Sequence, residues 1–271
     1  MTKRIAFIGG GNMASAIIGG LIGQGFEPED IDVVEPFAEA QNNLETIYGV
    51  LAQTQPGPFL TQADMVIWAV KPQILKEATL QVRAHTPKAL HLSIAAGIRS
   101  DSIAGWLGSE RVARAMPNTP ALIGKGITAL FARPGVTAQD KEWVGQVMTT
   151  TGEFLWLDHE ENLDVVTAIS GSGPAYTFYF MEAMADAGTE MGLTRAQAYQ
   201  LAVATFIGAG ELARASKETP EILRQRVTSQ GGTTQAAIAS MDKDNIKTHF
   251  IEAMRVARQR AKELGDEFGG V

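Results

Sequence analysis

Apolar residues in the first part of the chain form short continuous runs, with segments of helical period between them. Arg4–Ile8 reads as a strand and Asn12–Gln24 as a helix. Ile31–Val34 is a second strand, followed by a helix over Ala38–Tyr48 that Gly49 ends. Met65–Val70 (MVIWAV) is apolar throughout, the pattern of a strand buried on both faces. Pro72 suits the first turn of a helix reaching about Ala84. Ala89–Ala95, Val112–Met116, Ile127–Ala132 and Glu153–Leu157 are further strands. Ser100 is expected to cap a helix to Leu107, and Thr137 one to about Thr150. Strands separated by helices predict parallel pairing in an α/β sheet.

After about Asp158 the pattern changes, and no segment reads as a strand. Asn162–Ile169, Ala175–Met191, Arg195–Ala215, Pro220–Arg226, Thr234–Met241 and Ile246–Leu264 all suit helices. Thr194 is placed to cap the third, and Thr219-Pro220 to open the fourth. Two domains are therefore expected, an α/β domain over residues 1–158 and an all-α domain over 159–271. Apolar faces in the second half look generous for its size, which suggests a subunit interface. The terminal GDEFGGV reads as a frayed tail.

Composition narrows the function. Hydrophobic residues make up 45% and charged residues 20% of 271, the balance of a globular chain. A net charge of −7 argues against general affinity for nucleic acid or acidic lipid, though not against a locally bound anion. No cysteine is present, so thiol nucleophiles and Cys-ligated metals are excluded, and a reducing cytoplasm fits. His85, His91, His159 and His249 show no paired spacing, so no metal site is expected. Lys3 and Arg4 precede an apolar stretch resembling a secretory signal, but its glycines and Asn12 fit a strand, turn and helix better. No run suits a membrane span, and a soluble protein is expected.

Ile5–Ala14 (IAFIGGGNMA) carries specific chemistry. Gly9, Gly11 and Ala14 fit G-x-G-x-x-A between a strand and a helix. Gly9 permits a tight turn, Gly11 lets backbone approach a pyrophosphate, and Ala14 lets helix and strand pack closely. Free N–H groups at the helix start, around Asn12 and Met13, would face the phosphates. Glu35, at the end of the second strand, is placed to accept hydrogen bonds from an adenosine ribose, which favours NADH. These features predict a Rossmann-like dinucleotide-binding domain.

Further segments recur in order: Ala69-Val70-Lys71-Pro72, Ser93-Ile94-Ala95-Ala96-Gly97, Met116-Pro117-Asn118-Thr119-Pro120, SGSGPAY from Ser170 to Tyr176, and VTSQGGTT from Val227 to Thr234. Together with the glycine turn, this series resembles pyrroline-5-carboxylate reductase over nearly the whole chain. The resemblance implies reduction of the ring C=N bond of 1-pyrroline-5-carboxylate to L-proline, with NADPH or NADH as cofactor. It also implies a helical dimerisation domain after the Rossmann domain, and often assembly into decamers.

The resemblance assigns roles to positions. Ala69, Val70, Lys71 and Pro72 would contact the cofactor, at the carboxyl end of a strand where such sheets bind ligands. Ala95 and Ala96 are small residues beside which a flat nicotinamide ring could lie, and Asn118 would lie near the nicotinamide. Ser172, placed to cap a helix, would lie by the active site. Ser229, Gly232 and Thr233 would hold the substrate carboxylate, Gly231 would belong to the same substrate-binding turn, and Thr234 would hydrogen-bond the ring nitrogen. One departure is visible: the family usually has proline where this chain has Gln230. A 3-hydroxyacid dehydrogenase would need a lysine early in the helical half, where the first is Lys217.

Overall fold

The computed structural model describes residues 3–270. Among them, eight strands form one sheet: β1 (Ile5–Ile8), β2 (Ile31–Val34), β3 (Ala52–Gln53), β4 (Met65–Trp68), β5 (Leu90–Ser93), β6 (Val112–Met116), β7 (Gly126–Ala132) and β8 (Gly152–Trp156). Their spatial order is β3-β2-β1-β4-β5-β6-β7-β8. β1 lies between β2 and β4 in parallel register, with Ile8 beside Val34 on one side and Trp68 on the other. The chain therefore leaves β1 in one direction and later resumes in the other. This is the switch point where open α/β sheets bind ligands.

Helices α1 (Asn12–Gly23), α2 (Ala38–Tyr48), α3 (Pro72–Val82), α4 (Ser100–Leu107) and α5 (Ala138–Thr149) connect the strands. They cover both faces, which is why β1 and β4 are buried at every position. One apolar cluster holds Phe7, Ile17, Leu44, Ile67 and Leu92; a second holds Ile8, Trp68, Leu75, Ile98 and Trp106.

Three local expectations are revised. Parallel pairing holds from β3 through β6, but β7 runs antiparallel to β6. The segment between them, 117–125, is too short for a helical crossover and carries only a 3-10 turn over Thr119–Ile123. The strand Ala52–Gln53 is a two-residue edge with too little pattern to detect. Ser100 is the first residue of α4 rather than its cap. The Glu160 carboxylate caps that helix instead, accepting from the Ser100 N–H and hydroxyl, both at 2.6 Å. Glu160 also accepts from buried Arg114 at 2.7 Å, so one acid satisfies a helix end and a buried cation. Thr137 does cap α5, in a reciprocal box with Asp140.

The later helices are α6 (Asn162–Val166), α7 (Gly173–Glu190), α8 (Arg195–Ala215), α9 (Pro220–Arg226), α10 (Thr233–Lys243) and α11 (Ile246–Phe268). Thr194 caps α8 with Gln197 as its reciprocal partner, and Pro220 opens α9. The chain forms two compact units: residues to Ser172 with those from Ala257 onward, and Gly173–Val256. Strands end near residue 158, but packing carries residues 159–172 and the end of α11 into the sheet unit.

The terminal segment is not frayed over its described part. Helix α11 continues to Phe268, the Ser102 hydroxyl donates to the Gly269 carbonyl at 2.5 Å, and Lys76 donates to that of Gly270 at 3.0 Å. The helix approaches closely because Gly97 meets Gly265. A Cβ on Gly265 would fall 2.5 Å from the Gly97 carbonyl oxygen. Val271 lies outside the described residues.

Within the second unit, α7 packs on α8 through small residues; a Cβ on Gly188 would fall 2.8 Å from the Ala198 Cβ. Phe250 sits edge-on between Tyr176 and Phe180 at centroid distances of 5.6 and 5.5 Å. Only small residues of α7 and α8 are fully buried, while Tyr179, Met191 and Ile207 are exposed. A unit of this size with no large buried side chain lacks a core of its own.

Candidate active site

The candidate site residues fall into two groups, one in each unit. The first gathers at the carboxyl edge of the sheet. Gly9 follows β1 with φ +99°, and its N–H donates to the Val34 carbonyl at 2.8 Å. A Cβ at Gly9 would fall 2.6 Å from the Ala69 carbonyl oxygen, so the glycine turn and Ala69 lie in direct contact. Gly11 is the N-cap of α1, and no side chain caps that helix. A Cβ at Gly11 would meet nothing within 4 Å. The N–H groups of Asn12 and Met13 thus stand at an open, uncapped helix start, the arrangement that binds a pyrophosphate. These residues fit a dinucleotide. Lys71 is exposed beside Pro72, at the start of α3, which also lacks a side-chain cap.

Glu35 is placed differently from a loop carboxylate open to solvent. It is only 5% exposed. One carboxylate oxygen accepts from the Gly10 N–H at 2.7 Å and the other from the Phe37 N–H at 2.9 Å. The acid therefore pins the glycine turn to the end of β2.

Beyond β5, Ala95 is buried and Ala96 half-buried. The Ala95 N–H donates to the Ser93 hydroxyl at 3.3 Å. Gly97, next along, packs against α11 at Ala261, Leu264 and Gly265.

Asn118 is 8% exposed, and both ends of its amide are engaged. Nδ2 donates to the Ser170 carbonyl at 3.1 Å, and Oδ1 accepts from the Ile127 N–H at 3.0 Å. Ser172 is not a helix cap. α6 runs on through a π-turn over Thr167–Gly171, and Ser172 keeps helical dihedrals. Its N–H reaches the Thr167 carbonyl five residues back, at 2.8 Å. Its side chain is half-buried at this bend.

The second group is a single turn. Gly232 is the N-cap of α10, and no side chain caps the helix. The Gly232 N–H donates to the Ser229 carbonyl at 3.1 Å, closing a four-residue turn over Ser229, Gln230, Gly231 and Gly232. Gly231 has φ +72°, which makes this a type II turn with Gln230 at the position proline favours. Threonine hydroxyls elsewhere in the helices, such as Thr167, Thr177 and Thr189, bond back to the carbonyl four residues earlier. Those of Thr233 and Thr234 make no such bond. The start of α10 presents the N–H groups of Thr233 and Thr234 with their two free hydroxyls at the positive end of a helix, which suits a carboxylate.

Three contributors escape a reading of sequence. Gly10 lies inside the glycine turn, but its role depends on Glu35, distant in sequence. Gln235 accepts from the Gly231 N–H at 2.5 Å and stiffens the turn from within α10. Ser170 supplies the carbonyl that holds Asn118. Only Gln235 left a local signal, an amide four residues after the glycine.

Known proteins match this chain over its length. It is 43% identical over 271 residues to pyrroline-5-carboxylate reductase of Pseudomonas aeruginosa, covering 99% of each chain. The chain belongs to the pyrroline-5-carboxylate reductase family. The reductase of Escherichia coli is 37% identical, over 97% of this chain and 99% of its own. Residues 160–264 match the family described as pyrroline-5-carboxylate reductase dimerisation, and residues 4–97 that described as NADP oxidoreductase, coenzyme F420-dependent. Among solved structures, a pyrroline-5-carboxylate reductase from Coxiella burnetii superposes with TM-score 0.89 at 37% identity, covering 97% of this chain and 99% of that one. Pyrroline carboxylate reductase of Plasmodium falciparum, with NADP bound, gives 0.88 at 27% identity, over 97% and 98%. The two-part architecture, a Rossmann-like sheet domain and a helical dimerisation domain, is that of these reductases.

Proposed function

We infer that this chain reduces 1-pyrroline-5-carboxylate to L-proline with NADPH or NADH, the last step of proline biosynthesis. The observation that carries the site assignment is the uncapped start of α10, with its free Thr233 and Thr234 hydroxyls. Ser229, Gly232 and Thr233 hold the substrate carboxylate there, on a turn that the positive φ of Gly231 shapes. Thr234, one position further into the helix, hydrogen-bonds the ring nitrogen and is the catalytic side chain.

The cofactor's phosphates rest on the start of α1, at Gly9, Gly11, Asn12 and Met13. Ala69–Pro72, Ala95 and Ala96 line the nicotinamide half. Asn118 holds the loop between β6 and β7 in shape, through bonds to Ser170 and Ile127. Ser172 is assigned to the substrate by the resemblance of its SGSGPAY segment to the family. When bound, the reduced nicotinamide supplies a hydride to the imine carbon. The ring nitrogen must carry a proton as the hydride arrives, since a bare amide anion would be prohibitively unfavourable. An iminium already protonated in solution meets that need, so no protein carboxylate is required as the acid. The chain's contribution is orientation of two flat rings, anchoring of a carboxylate, and one hydrogen bond from Thr234.

The exposed apolar faces of the Gly173–Val256 unit find their cover in a second copy of this chain, giving a homodimer. Assembly of dimers into a decamer and a cytoplasmic location complete this reading. The direct test is the absorbance of reduced nicotinamide with purified protein and 1-pyrroline-5-carboxylate. Loss of signal with equimolar L-proline supports the assignment; no turnover with either cofactor would refute it.

A further inference from the structure

The adenosine end of the cofactor site carries a charge pattern that the family's name leaves open. Residues 5–70 contain no Lys, Arg or His. The same stretch holds eight carboxylates: Glu27, Glu29, Asp30, Asp32, Glu35, Glu39, Glu45 and Asp64. It supplies β1 to β4 with α1 and α2, the half of such a sheet that receives adenosine. The flanking cations are not free to serve that end. Arg4 is engaged by Asp30 and Asp32 at 3.7 and 3.3 Å. Lys71 follows β4, which lies on the far side of β1 from β2.

Glu35 stands at the end of β2, where this fold meets the ribose 2′ position. Its carboxylate cannot swing aside without loss, because each oxygen holds a backbone N–H, that of Gly10 or of Phe37. The Gln41 amide also donates to its backbone carbonyl at 2.5 Å. The carboxylate retains lone pairs that can accept from a 2′-hydroxyl. A 2′-phosphate would meet a fixed like charge with no counter-charge from this half of the sheet.

We propose that this site selects NADH over NADPH, with Glu35 as the residue that sets the preference. The proposal rests on the reading of the chain as an NAD(P)H-dependent reductase and specifies its cofactor. Discrimination arises from repulsion of the 2′-phosphate as much as from attraction of the hydroxyl.

The test titrates full-length protein with NADH and with NADPH, following cofactor fluorescence without substrate. The same preparations are then assayed for kcat/KM with each cofactor and 1-pyrroline-5-carboxylate. NADH is expected to bind tighter by about tenfold or more, from a like-charge contact near the surface. Glu35→Gln should narrow the ratio, chiefly by tightening NADPH. Adenosine 2′,5′-bisphosphate should compete with NADH more weakly than 5′-AMP does, a comparison that needs no variant. Equal or tighter binding of NADPH by the parent chain would overturn the proposal, whatever the variant does. NADH-selective binding without turnover would leave the proposal standing and sink the reaction. Turnover favouring NADPH would do the reverse.

Discussion

Asn118 donates its side-chain amide to the carbonyl of Ser170, at 3.1 Å across 52 residues of sequence. Pro174, four residues beyond Ser170, has no N–H and cannot serve that carbonyl as an ordinary helical residue would. The amide thus ties the loop after β6 to an acceptor that a proline leaves free, while its oxygen holds the Ile127 N–H at the start of β7. Replacing Asn118 by Ala should cost about 1–3 kcal/mol for each buried group left unpaired. Asn118→Asp should keep the Ile127 bond, lose the Ser170 bond and set two acceptors against each other. Urea denaturation of both variants checks this; a loss below about 0.5 kcal/mol in Asn118→Ala would deny the brace its weight.

Thr234→Ala removes a free hydroxyl and leaves the α10 backbone in place. Turnover should fall by about 10²-fold, the scale of losing one donor at a reacting centre, while NADH binding is unchanged. Steady-state kinetics beside a cofactor titration separate the two effects. Unaltered kcat would remove Thr234 from the reaction.

Gln230 occupies the second position of the type II turn that precedes α10. Its N–H donates to no backbone carbonyl among the described residues. Gln230→Pro therefore deletes no backbone bond and presets the φ this turn needs. The variant should gain about 0.4–1 kcal/mol of stability by thermal denaturation and show a lower KM for the imine. A raised KM would mean that the glutamine side chain, rather than looseness of the turn, serves the substrate.

His91 is buried in β5, its ring 5.8 Å from that of Trp68, and its Nδ1 has no partner. Burial, aided by the Arg111 charge, pushes its imidazole from 6.5 down to about 4. The unfolded chain then binds more protons than the folded one between those two values. Stability from this residue is whole above about pH 6.5 and declines as pH falls to about 4, by about 3 kcal/mol in all. Denaturation midpoints between pH 7 and 4 should show that slope, and His91→Leu should flatten it. An identical slope in the variant would assign the loss to other groups.

What the sequence determined by itself is what short-range physics governs. Strand runs, helical period, the caps of Thr137 and Thr194, the proline at the start of α9 and the glycine ending α2 depend on residues within a turn or two. The glycine turn after β1 and the Gly231-Gly232 turn before α10 belong to the same class, since a left-handed φ or an open helix end is a local demand. The tertiary structure alone decided where distant groups find partners. Glu35 reads from sequence as a free carboxylate, yet it is held by Gly10, and Asn118 reads as a free amide, yet it is held by Ser170 and Ile127. Ser100 looks like a cap until Glu160 takes that task, and the terminal segment looks frayed until Ser102 holds Gly269. β6 and β7 pair antiparallel because nine residues between them cannot carry a crossover. A buried polar group must be satisfied, but nothing local says by whom; that choice falls to whichever segment the packing of the sheet and its helices brings within reach.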